Sequence, residues 1–302
     1  MTDVVFIGLG RMGLPMAMRL LAAGHQVAGY DIDHAATASF AAAGGRVAQS
    51  AAAAAASADA VVLMLPSSTV VDQVLLDDGL LASLRAGQVV IDMSSSDPLH
   101  TRRLAHTAAE RSIHLVDAPV SGGVPRAISG QLTIMVGGDD VAVGLVRPLL
   151  EAMGGQISHL GPVGAGHAVK ALNNLLGATS LLIASEALEV GRAFGLDLEL
   201  LVETFNASTG RSWSTEHKLP TYVLTEAFDS GFDLALMVKD VQIARSLALS
   251  VGVVDGVTER TVDVWTRAMA ELDVDADHTE IARWLRRQVP VAGAANEIVS
   301  PS

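Results

Sequence analysis

The chain has 302 residues, of which half are apolar and only 4% aromatic, so it can bury a large aliphatic core and intrinsic disorder is excluded. It carries 33 acidic against 20 basic residues, a formal charge of −13, which argues against a nucleic-acid-binding protein. Because cysteine is absent, disulfides, thiolate metal sites and a cysteine nucleophile are excluded as well.

The apolar content is high enough for a membrane protein, but the distribution of polar residues argues against a membrane-spanning helix. No apolar run reaches the length of about 18 residues that a membrane helix needs, and the most apolar stretch, 175–184, contains Gly177, Thr179 and Ser180. Asp3 precedes the first apolar run, and no basic segment of the kind found in secretory signals is present. We therefore predict a soluble, cytoplasmic protein.

The first half of the chain alternates short β-rich runs with helical segments. Apolar runs typical of strands buried on both faces lie at Val4–Ile7, Gln26–Tyr30, Ala60–Leu65, Gln88–Ile91 and Ile113–Val116. Helices are predicted between them at Leu14–Ala23, Ala51–Ala56, Val70–Leu76 and Leu99–Arg111. The closing elements are a strand, a helix and a strand at Leu132–Val136, Asp139–Met153 and Gln156–Leu160. This alternation predicts a doubly wound α/β domain of the Rossmann type.

Strand signals stop after Gly161-Pro162, and a helical period then runs almost unbroken from Gly166 to Arg192. Further helical segments follow near 197–206, 213–226, 233–249, 257–271 and 278–288. We predict an α/β domain at residues 1–162 and an all-helical domain at 163–290, entered through the long interdomain helix. Residues 291–302 are rich in Ala, Gly, Pro and Ser and are predicted to form a flexible tail.

The long helix also bears on assembly, because it is apolar on more sides than one small helical domain can cover. We expect a second copy of the chain to cover the remaining face. The protein is therefore predicted to be a homodimer or a homotetramer, with the helical domain serving dimerisation.

A glycine motif connects the first strand to the first helix. The motif reads Gly8-Leu9-Gly10-Arg11-Met12-Gly13, and the helix begins at Leu14-Pro15. In this context Gly8 permits a tight turn, Gly10 lets the backbone approach a pyrophosphate, and Gly13 allows the helix to pack on the strand. The helix N-terminus then favours the phosphates of a dinucleotide. The motif alone leaves both a nicotinamide dinucleotide and FAD open.

Asp31 closes the second strand, 18 residues after Gly13. A carboxylate at this position accepts hydrogen bonds from the adenosine ribose and repels a 2′-phosphate. No arginine follows it within residues 32–35. Both features favour NAD over NADP.

A second glycine-containing segment, Asp117-Ala118-Pro119-Val120-Ser121-Gly122-Gly123, follows the fifth strand. It lies at the carboxyl edge of the sheet, where α/β proteins bind ligands. The Ser121 hydroxyl beside the amides of Gly122 and Gly123 can hold a carboxylate. An ordinary loop explains the composition equally well, and Pro119 excludes a G-x-S-x-G nucleophile elbow.

The long helix carries Lys170 and Asn174, which are four residues apart and share one helical face. Most helical lysines are solvated, but Lys170 has mainly apolar neighbours along the chain, where an ammonium needs a partner or a task. The paired Asn174 favours a catalytic role. His167 is predicted to be structural, and because the histidines show no ligand-like pairing, no metal site is expected. Lys239-Asp240, on a later helix, fits a surface ion pair as well as a site.

Taken together, these motifs resemble those of the β-hydroxyacid dehydrogenase family over nearly the whole chain, and 206–213 resembles 3-hydroxyisobutyrate dehydrogenases in particular. The resemblance implies that Lys170 is catalytic, that Asn174 orients the substrate, and that Ser121, Gly122 and Gly123 hold its carboxylate. It also implies cofactor contacts at the nicotinamide end, from Leu65, Pro66, Ser95 and Lys239. Arg126 departs from the small residue or lysine often found there, and either extends anion recognition or is solvated.

The activity implied by the resemblance is reversible, NAD-dependent oxidation of a small 3-hydroxy acid, such as 3-hydroxyisobutyrate, to its semialdehyde, with Lys170 as general acid and base. Serine, glycerate or tartronate semialdehyde, and sulfonated analogues remain open as substrates. Imine reduction is disfavoured because relatives with that activity generally replace the lysine. A phosphorylated sugar acid is disfavoured because the long helical domain of such enzymes is missing. An NAD-binding sensor without turnover is the alternative from another class.

Overall fold

The computed structural model describes residues 1–253 and 256–289, so the predicted tail at 291–302 lies outside the described residues. The chain divides into two compact units, Met1–Ala171 and Leu172–Ser302. The division falls within the long helix, whereas the sequence pattern places it ahead of that helix, at residue 162. The physical reason is that the first turns of the helix are hydrogen-bonded to Asp117 of the α/β unit.

The first unit is built on a six-stranded parallel sheet. Its strands are β1 (Asp3–Ile7), β2 (Gln26–Tyr30), β3 (Arg46–Val47), β4 (Ala60–Leu63), β5 (Val89–Asp92) and β6 (His114–Asp117). The order is β3-β2-β1-β4-β5-β6, so the winding reverses between β1 and β4. Ile7 at the end of β1 pairs with Tyr30 on one side and Leu63 on the other. The carboxyl ends of these strands therefore meet at the reversal point, where such sheets bind ligands.

A second, three-stranded sheet contains β7 (Val120–Ser121), β8 (Leu132–Val136) and β9 (Gly154–His159), in that order. The sequence pattern places β8 and β9 as closing strands of the main sheet. Instead, the chain reverses after β6, and β7 pairs antiparallel with β8. One antiparallel bridge, between Asp117 and Gly137, links this sheet to the end of β6.

The helices of the first unit cover the main sheet on both faces. They are α1 (Gly13–Ala22), α2 (His34–Ala42), α3 (Ala51–Ala55), α4 (Ser68–Asp72), α5 (Leu80–Ser83), α6 (Pro98–Ala109), α7 (Gly123–Ser129) and α8 (Asp140–Met153). A turn of π-helix, Gln73–Asp77, extends α4. Neighbouring residues of β1 serve different cores: Phe6 packs with Leu20, and Ile7 packs in the cluster that contains Leu75. The strand is thus buried on both faces, as its continuous apolar run predicts.

The second unit is helical. It continues α9 (Ala165–Phe194) and contains α10 (Leu198–Asn206), a π-helix (Ser214–Val223), α11 (Leu234–Ser250), α12 (Val257–Glu271), a 3₁₀ turn (His278–Glu280) and α13 (Ile281–Gln288). The π-helix replaces part of the predicted α-helix. Pro220 has no N–H to donate within it, and Leu224 N donates to Leu219 O, five residues earlier, as in a π-helix. The core of this unit surrounds Trp265 and Trp284.

Within the described part of the chain, no helix combines the length and the apolar character needed to cross a membrane. The longest helix, α9, has 30 residues, but Lys170, Glu186, Glu189 and Arg192 interrupt its apolar surface.

Candidate active site

The glycine motif forms the turn between β1 and α1, and its three glycines meet different surroundings. Gly8 has a φ of +95°, and a side chain there would clash with the Met64 carbonyl. A Cβ at Gly13 would clash with the carbonyl of Gly8. Gly10, in contrast, is exposed and has no neighbour within 4 Å of a built Cβ. The fold therefore requires Gly8 and Gly13, whereas Gly10 leaves room for a ligand at the backbone.

The start of α1 is suited to an anion. Met12, the residue before the helix, makes no side-chain hydrogen bond to the first-turn amides. Five other helices of this unit have a serine or aspartate that does so: Asp33, Ser50, Ser67, Asp97 and Asp139. The first turn of α1 and the open side of Gly10 fit the pyrophosphate of a dinucleotide.

Asp31 joins the end of β2 to the glycine motif. Its Oδ2 accepts a 2.6 Å hydrogen bond from Leu9 N, and its Oδ1 accepts a 2.8 Å hydrogen bond from Asp33 N. Because each carboxylate oxygen can accept a second hydrogen bond, these contacts leave Asp31 able to accept a ribose hydroxyl. Arg11 lies exposed on the neighbouring turn.

The residues predicted at the nicotinamide end lie on two adjacent loops, after β4 and β5. Leu65 N donates a 2.9 Å hydrogen bond to the Oγ of Ser94, which is buried. Ser95, the next residue, and Leu65 are half-buried, and Pro66 is exposed. The structure thus brings Leu65 and Ser95 to the same edge of the sheet.

The predicted carboxylate-binding segment leaves β7 at Ser121 and enters α7 through two glycines in positive-φ conformations. Gly122 has a φ of +127° and Gly123 a φ of +67°, and both are exposed. The aliphatic stem of Arg126 lies against Gly122, so that any side chain at position 122 would clash with it. Arg126 is therefore next to the candidate anion site, with its side chain in an exposed position.

Lys170 lies in the second turn of α9, and only 9% of its surface is exposed. The preceding turn is held by Asp117, which is fully buried: Oδ1 accepts from Gly164 N at 2.6 Å and Oδ2 from His167 N at 2.8 Å. Asp117 also begins the segment that leads to Ser121. The sequence motif contains Asp117, but its role as a helix cap involves partners 47 and 50 residues away, which no local pattern indicates.

Asn174 follows Lys170 by one helical turn and belongs to the second unit. Its Nδ2 donates a 2.5 Å hydrogen bond to Oδ2 of Asp240 on α11, and its Oδ1 accepts from Asn173. Lys239 Nζ lies 3.0 Å from the other oxygen of Asp240. The buried Asp240 thus orients the Asn174 amide, a role that sequence reasoning missed although the Lys239-Asp240 pair was the available signal.

The residues that the structure describes contain no candidate set of metal ligands. Among them, no group of three or more His, Asp or Glu side chains is arranged to hold a metal ion. The chemically useful groups of the candidate site are an amine, an amide, a hydroxyl and backbone N–H groups.

Comparisons with known proteins agree with this geometry. Residues 3–161 match the family model described as the NAD-binding domain of 6-phosphogluconate dehydrogenase. Residues 164–285 match the model described as NAD-binding of NADP-dependent 3-hydroxyisobutyrate dehydrogenase. NAD(P)-binding domains are therefore present, and they span both units.

Individual relatives share much of the chain. NAD-dependent L-serine dehydrogenase of Pseudomonas aeruginosa is 41% identical over 255 residues, covering 82% of this chain and 86% of the relative. 2-(Hydroxymethyl)glutarate dehydrogenase of Eubacterium barkeri is 40% identical over 240 residues, covering 79% and 80%. The solved structure of Mycobacterium tuberculosis 3-hydroxyisobutyrate dehydrogenase with L-serine has a TM-score of 0.88 at 35% identity and covers 95% of this chain and 99% of that one.

The matched models, these identities over most of the chain, and the dinucleotide-binding geometry of the glycine turn all agree. The chain belongs to the β-hydroxyacid dehydrogenase family and resembles its 3-hydroxyisobutyrate dehydrogenase branch.

Proposed function

We propose that the protein reversibly oxidises a small 3-hydroxy acid to the corresponding semialdehyde with NAD. The observation that carries this proposal is the burial of Lys170 in the second turn of α9. A lysine that is 91% buried is costly for the fold unless its amine has a partner or a task, and the relatives of this chain act on hydroxy acids.

Lys170 moves the proton in this proposal. In the reducing direction its ammonium donates a proton to the oxygen that develops from the substrate carbonyl, and in the oxidising direction the neutral amine accepts the proton of the hydroxyl group. The nicotinamide, when bound, supplies or accepts the hydride. The hydrogen bond between Asn174 and Asp240 orients an amide one helical turn away, which we assign to holding the substrate hydroxyl.

Ser121 and the amides of Gly122 and Gly123 are assigned to the substrate carboxylate. Both glycines have positive φ values, a backbone conformation that other residues rarely adopt. Because glycine has no side chain, nothing of its own blocks the approach of a carboxylate to its amide. Holding the carboxylate at this point fixes the distance to the carbon that reacts.

The names of the relatives narrow the substrate class. Hydroxyisobutyrate, L-serine and 2-(hydroxymethyl)glutarate share a primary alcohol on the carbon next to the one that bears the carboxylate. They differ in the third substituent: a methyl, an ammonium or a carboxyethyl group. We propose 3-hydroxyisobutyrate as the substrate, with serine, glycerate or tartronate semialdehyde and sulfonated analogues as the second candidates.

The cofactor is proposed to be NAD, on the basis of Asp31 at the end of β2. Its carboxylate remains able to accept a ribose hydroxyl and opposes a 2′-phosphate by charge repulsion. Lys239, Leu65, Pro66 and Ser95 are assigned to the nicotinamide half. A cytoplasmic location, where such a cofactor is available, is part of the same proposal.

Assembly is proposed to be a homodimer or homotetramer built on α9. In the second unit Leu176, Ile183 and Val190 are exposed and recur every seven residues, the spacing of one helical face. A second copy that packs along this face would bury it.

The test is an oxidation assay of the purified wild-type protein with NAD, followed by the absorbance of NADH. 3-Hydroxyisobutyrate, L-serine, 2-(hydroxymethyl)glutarate and glycerate are the substrates, and lactate and 4-hydroxybutyrate, with the alcohol one carbon nearer or farther, are the controls. We expect turnover of at least one 3-hydroxy acid and much slower reaction of both controls. NAD binding without turnover of any substrate would contradict the proposal and favour a sensor.

A further inference from the structure

A buried histidine that the proposed chemistry does not use lies on the same helix as the catalytic lysine. His167 is three residues before Lys170 on α9, and only 1% of its surface is exposed. Residues three apart on a helix lie on neighbouring turns of one face. The position of the histidine ring and that of the Lys170 backbone are therefore coupled through one turn of helix.

Both ring nitrogens of His167 have partners outside α9. Nε2 lies 3.0 Å from the carbonyl oxygen of Ser94, and because a carbonyl can only accept, Nε2 carries the hydrogen and donates it. Nδ1 lies 2.8 Å from the hydroxyl of Thr101 on α6. The ring is thus fixed at both nitrogens to the segment that follows β5.

The backbone of the same residue is fixed independently of the ring. Its N–H donates to Oδ2 of Asp117 at the end of β6, and Oδ1 of Asp117 accepts from Gly164 N. Rotation or sliding of this first turn would break two hydrogen bonds to a fully buried carboxylate. The helix therefore presents the His167 ring to Ser94 from a defined position.

Ser94 transmits this position to both loops of the proposed nicotinamide end. Its Oγ accepts from Leu65 N on the loop after β4, and its own N–H donates to Oδ1 of Asp92. The next residue is Ser95. A continuous chain of hydrogen bonds therefore runs from the loop of Leu65 through Ser94 and the His167 ring to the turn before Lys170.

We propose that His167 is a positioning residue that sets the distance between the Lys170 amine and the nicotinamide-binding loops. The inference rests on the proposed function, since it concerns the alignment of proton and hydride transfer in that reaction. Misplacement of reacting groups by about 1 Å can lower a rate by about a hundredfold, so a link of this kind acts on kcat. A histidine that only fills the core would affect stability and leave the chemical step unchanged.

The test compares three variants. His167→Leu removes both ring hydrogen bonds, and His167→Gln retains an N–H donor and an oxygen acceptor. Val146→Ala, in the buried core of α8, destabilises the same unit without touching the link. Each is measured for Tm, for kcat and KM, and for the primary kinetic isotope effect on kcat with the substrate deuterated at the reacting carbon.

We expect His167→Leu to lower kcat about ten- to a hundredfold, with a larger isotope effect because hydride transfer becomes slower than product release. His167→Gln should lower kcat less, with a decrease in log kcat at most half of that in His167→Leu. Val146→Ala should lower Tm while kcat and the isotope effect stay within about twofold of the wild type. A His167→Leu variant with wild-type kcat and isotope effect would overturn the proposal, as would equal kinetic losses in the Val146→Ala variant.

Backbone hydrogen exchange of the cofactor-free proteins tests the link without turnover. In His167→Leu, exchange should accelerate in residues 92–97 together with residues 164–170, and in Val146→Ala it should not. If His167→Leu does not fold, Thr101→Val, which removes the hydroxyl that contacts Nδ1 of His167, takes its place, with faster exchange in 92–97 expected. Unchanged exchange there refutes the link even if no hydroxy acid is oxidised, whereas a wild type without turnover refutes only the proposed function.

Discussion

The two ends of α9 present different surfaces. The N-terminal turns are polar, buried and hydrogen-bonded: Asp117 accepts two backbone N–H groups there, and the His167 ring is bonded at both nitrogens. The C-terminal turns expose the apolar side chains of Val190 and Phe194, which are 70% and 82% accessible to solvent, while the buried Glu189 binds Arg192 and Arg286. One helix thus carries the proposed catalytic lysine near one end and part of the proposed interface near the other.

Hydrogen bonds and apolar contacts differ in how precisely they position a helix. Hydrogen bonds to a buried carboxylate fix the angle and the height of a helix, because each bond has a narrow range of distance and direction. The burial of apolar surface stabilises in proportion to the area removed from water and depends little on direction. Val190 and Phe194 line a groove with Leu285 and Val289, and such a surface gains stability from any partner that covers it.

The largest expected effect comes from removing the functional group at the N-terminal end. Lys170→Ala should lower kcat by about 10² to 10⁴, since a positioned proton donor contributes that much. The affinity for NAD should change little, because Lys170 is assigned to the reacting end. Steady-state kinetics and NAD titration measure both, and a loss confined to NAD affinity would contradict the assignment.

The exposed C-terminal end is tested by Val190→Asp, which places a charge on the proposed interface. We expect dimer dissociation to become at least about a hundredfold easier, because burying an unpaired carboxylate costs several kcal/mol. Light scattering at micromolar concentration should show half the wild-type mass. Val141→Asp, at an equally exposed valine of α8, is the control and should leave the mass unchanged. A wild-type protein that is already monomeric would refute the interface.

Asp277, a half-buried carboxylate of the second unit, also binds backbone N–H groups. It accepts from Gly231 N, Phe232 N and Thr279 N. Burial raises the pKa of its carboxyl, but hydrogen bonds from His278 and Thr279 outweigh this and hold the pKa well below its ordinary value. Its stabilising contribution is therefore complete above the ordinary pKa and is lost as the pH falls toward the pKa of the folded state.

Asp277→Asn should accordingly lower the free energy of unfolding at neutral pH by about 1–3 kcal/mol, and less in acid. Denaturant unfolding at several pH values measures this. Asp229→Asn, at an exposed aspartate just ahead of the same loop, should have almost no effect. A constant difference between the Asp277→Asn variant and the wild type across the acid range would contradict the role of the ionised carboxyl.

The smallest expected effect concerns Asp31, a carboxylate that both holds a loop and is assigned to the cofactor. Asp31→Ala should lower kcat/KM with NAD about tenfold, the value of one lost hydrogen bond to a charged group, and should narrow the preference over NADP. Asp33→Ala removes the cap of α2 and serves as the control, with stability lowered and cofactor preference kept. A wild type that uses NADP as well as NAD would show that the Asp31 argument is wrong.

The elements that the sequence predicts correctly are those with a strong local signal. Gln26–Tyr30 and Leu132–Val136 match the predicted strands because most of their residues are buried between two neighbouring strands. The helices α2 and α7 are not apparent in the hydrophobic pattern, since α2 buries only Phe40 and α7 only Ala127. Their starts depend on a cap at Asp33 and on backbone reversal at Gly122.

In the candidate site, too, the local features are predictable from the sequence and the long-range contacts are not. The glycine motif and the Lys170/Asn174 spacing are local, so the sequence alone indicates them. The contacts that orient these groups join distant segments: Asp240 lies 66 residues from Asn174, and Ser94 lies 73 residues from His167. No periodicity or motif encodes such pairs, because they form only when the chain has folded.

The role of Lys170 in moving the proton is tested most directly by the kcat of Lys170→Arg. Arginine retains the positive charge but does not release a proton near neutral pH. We expect kcat to remain within about tenfold of the Lys170→Ala value, at about 10² or more below the wild type. Near wild-type turnover by the arginine variant would contradict it, because Lys170 would then act as a charge alone and the proton would come from another group.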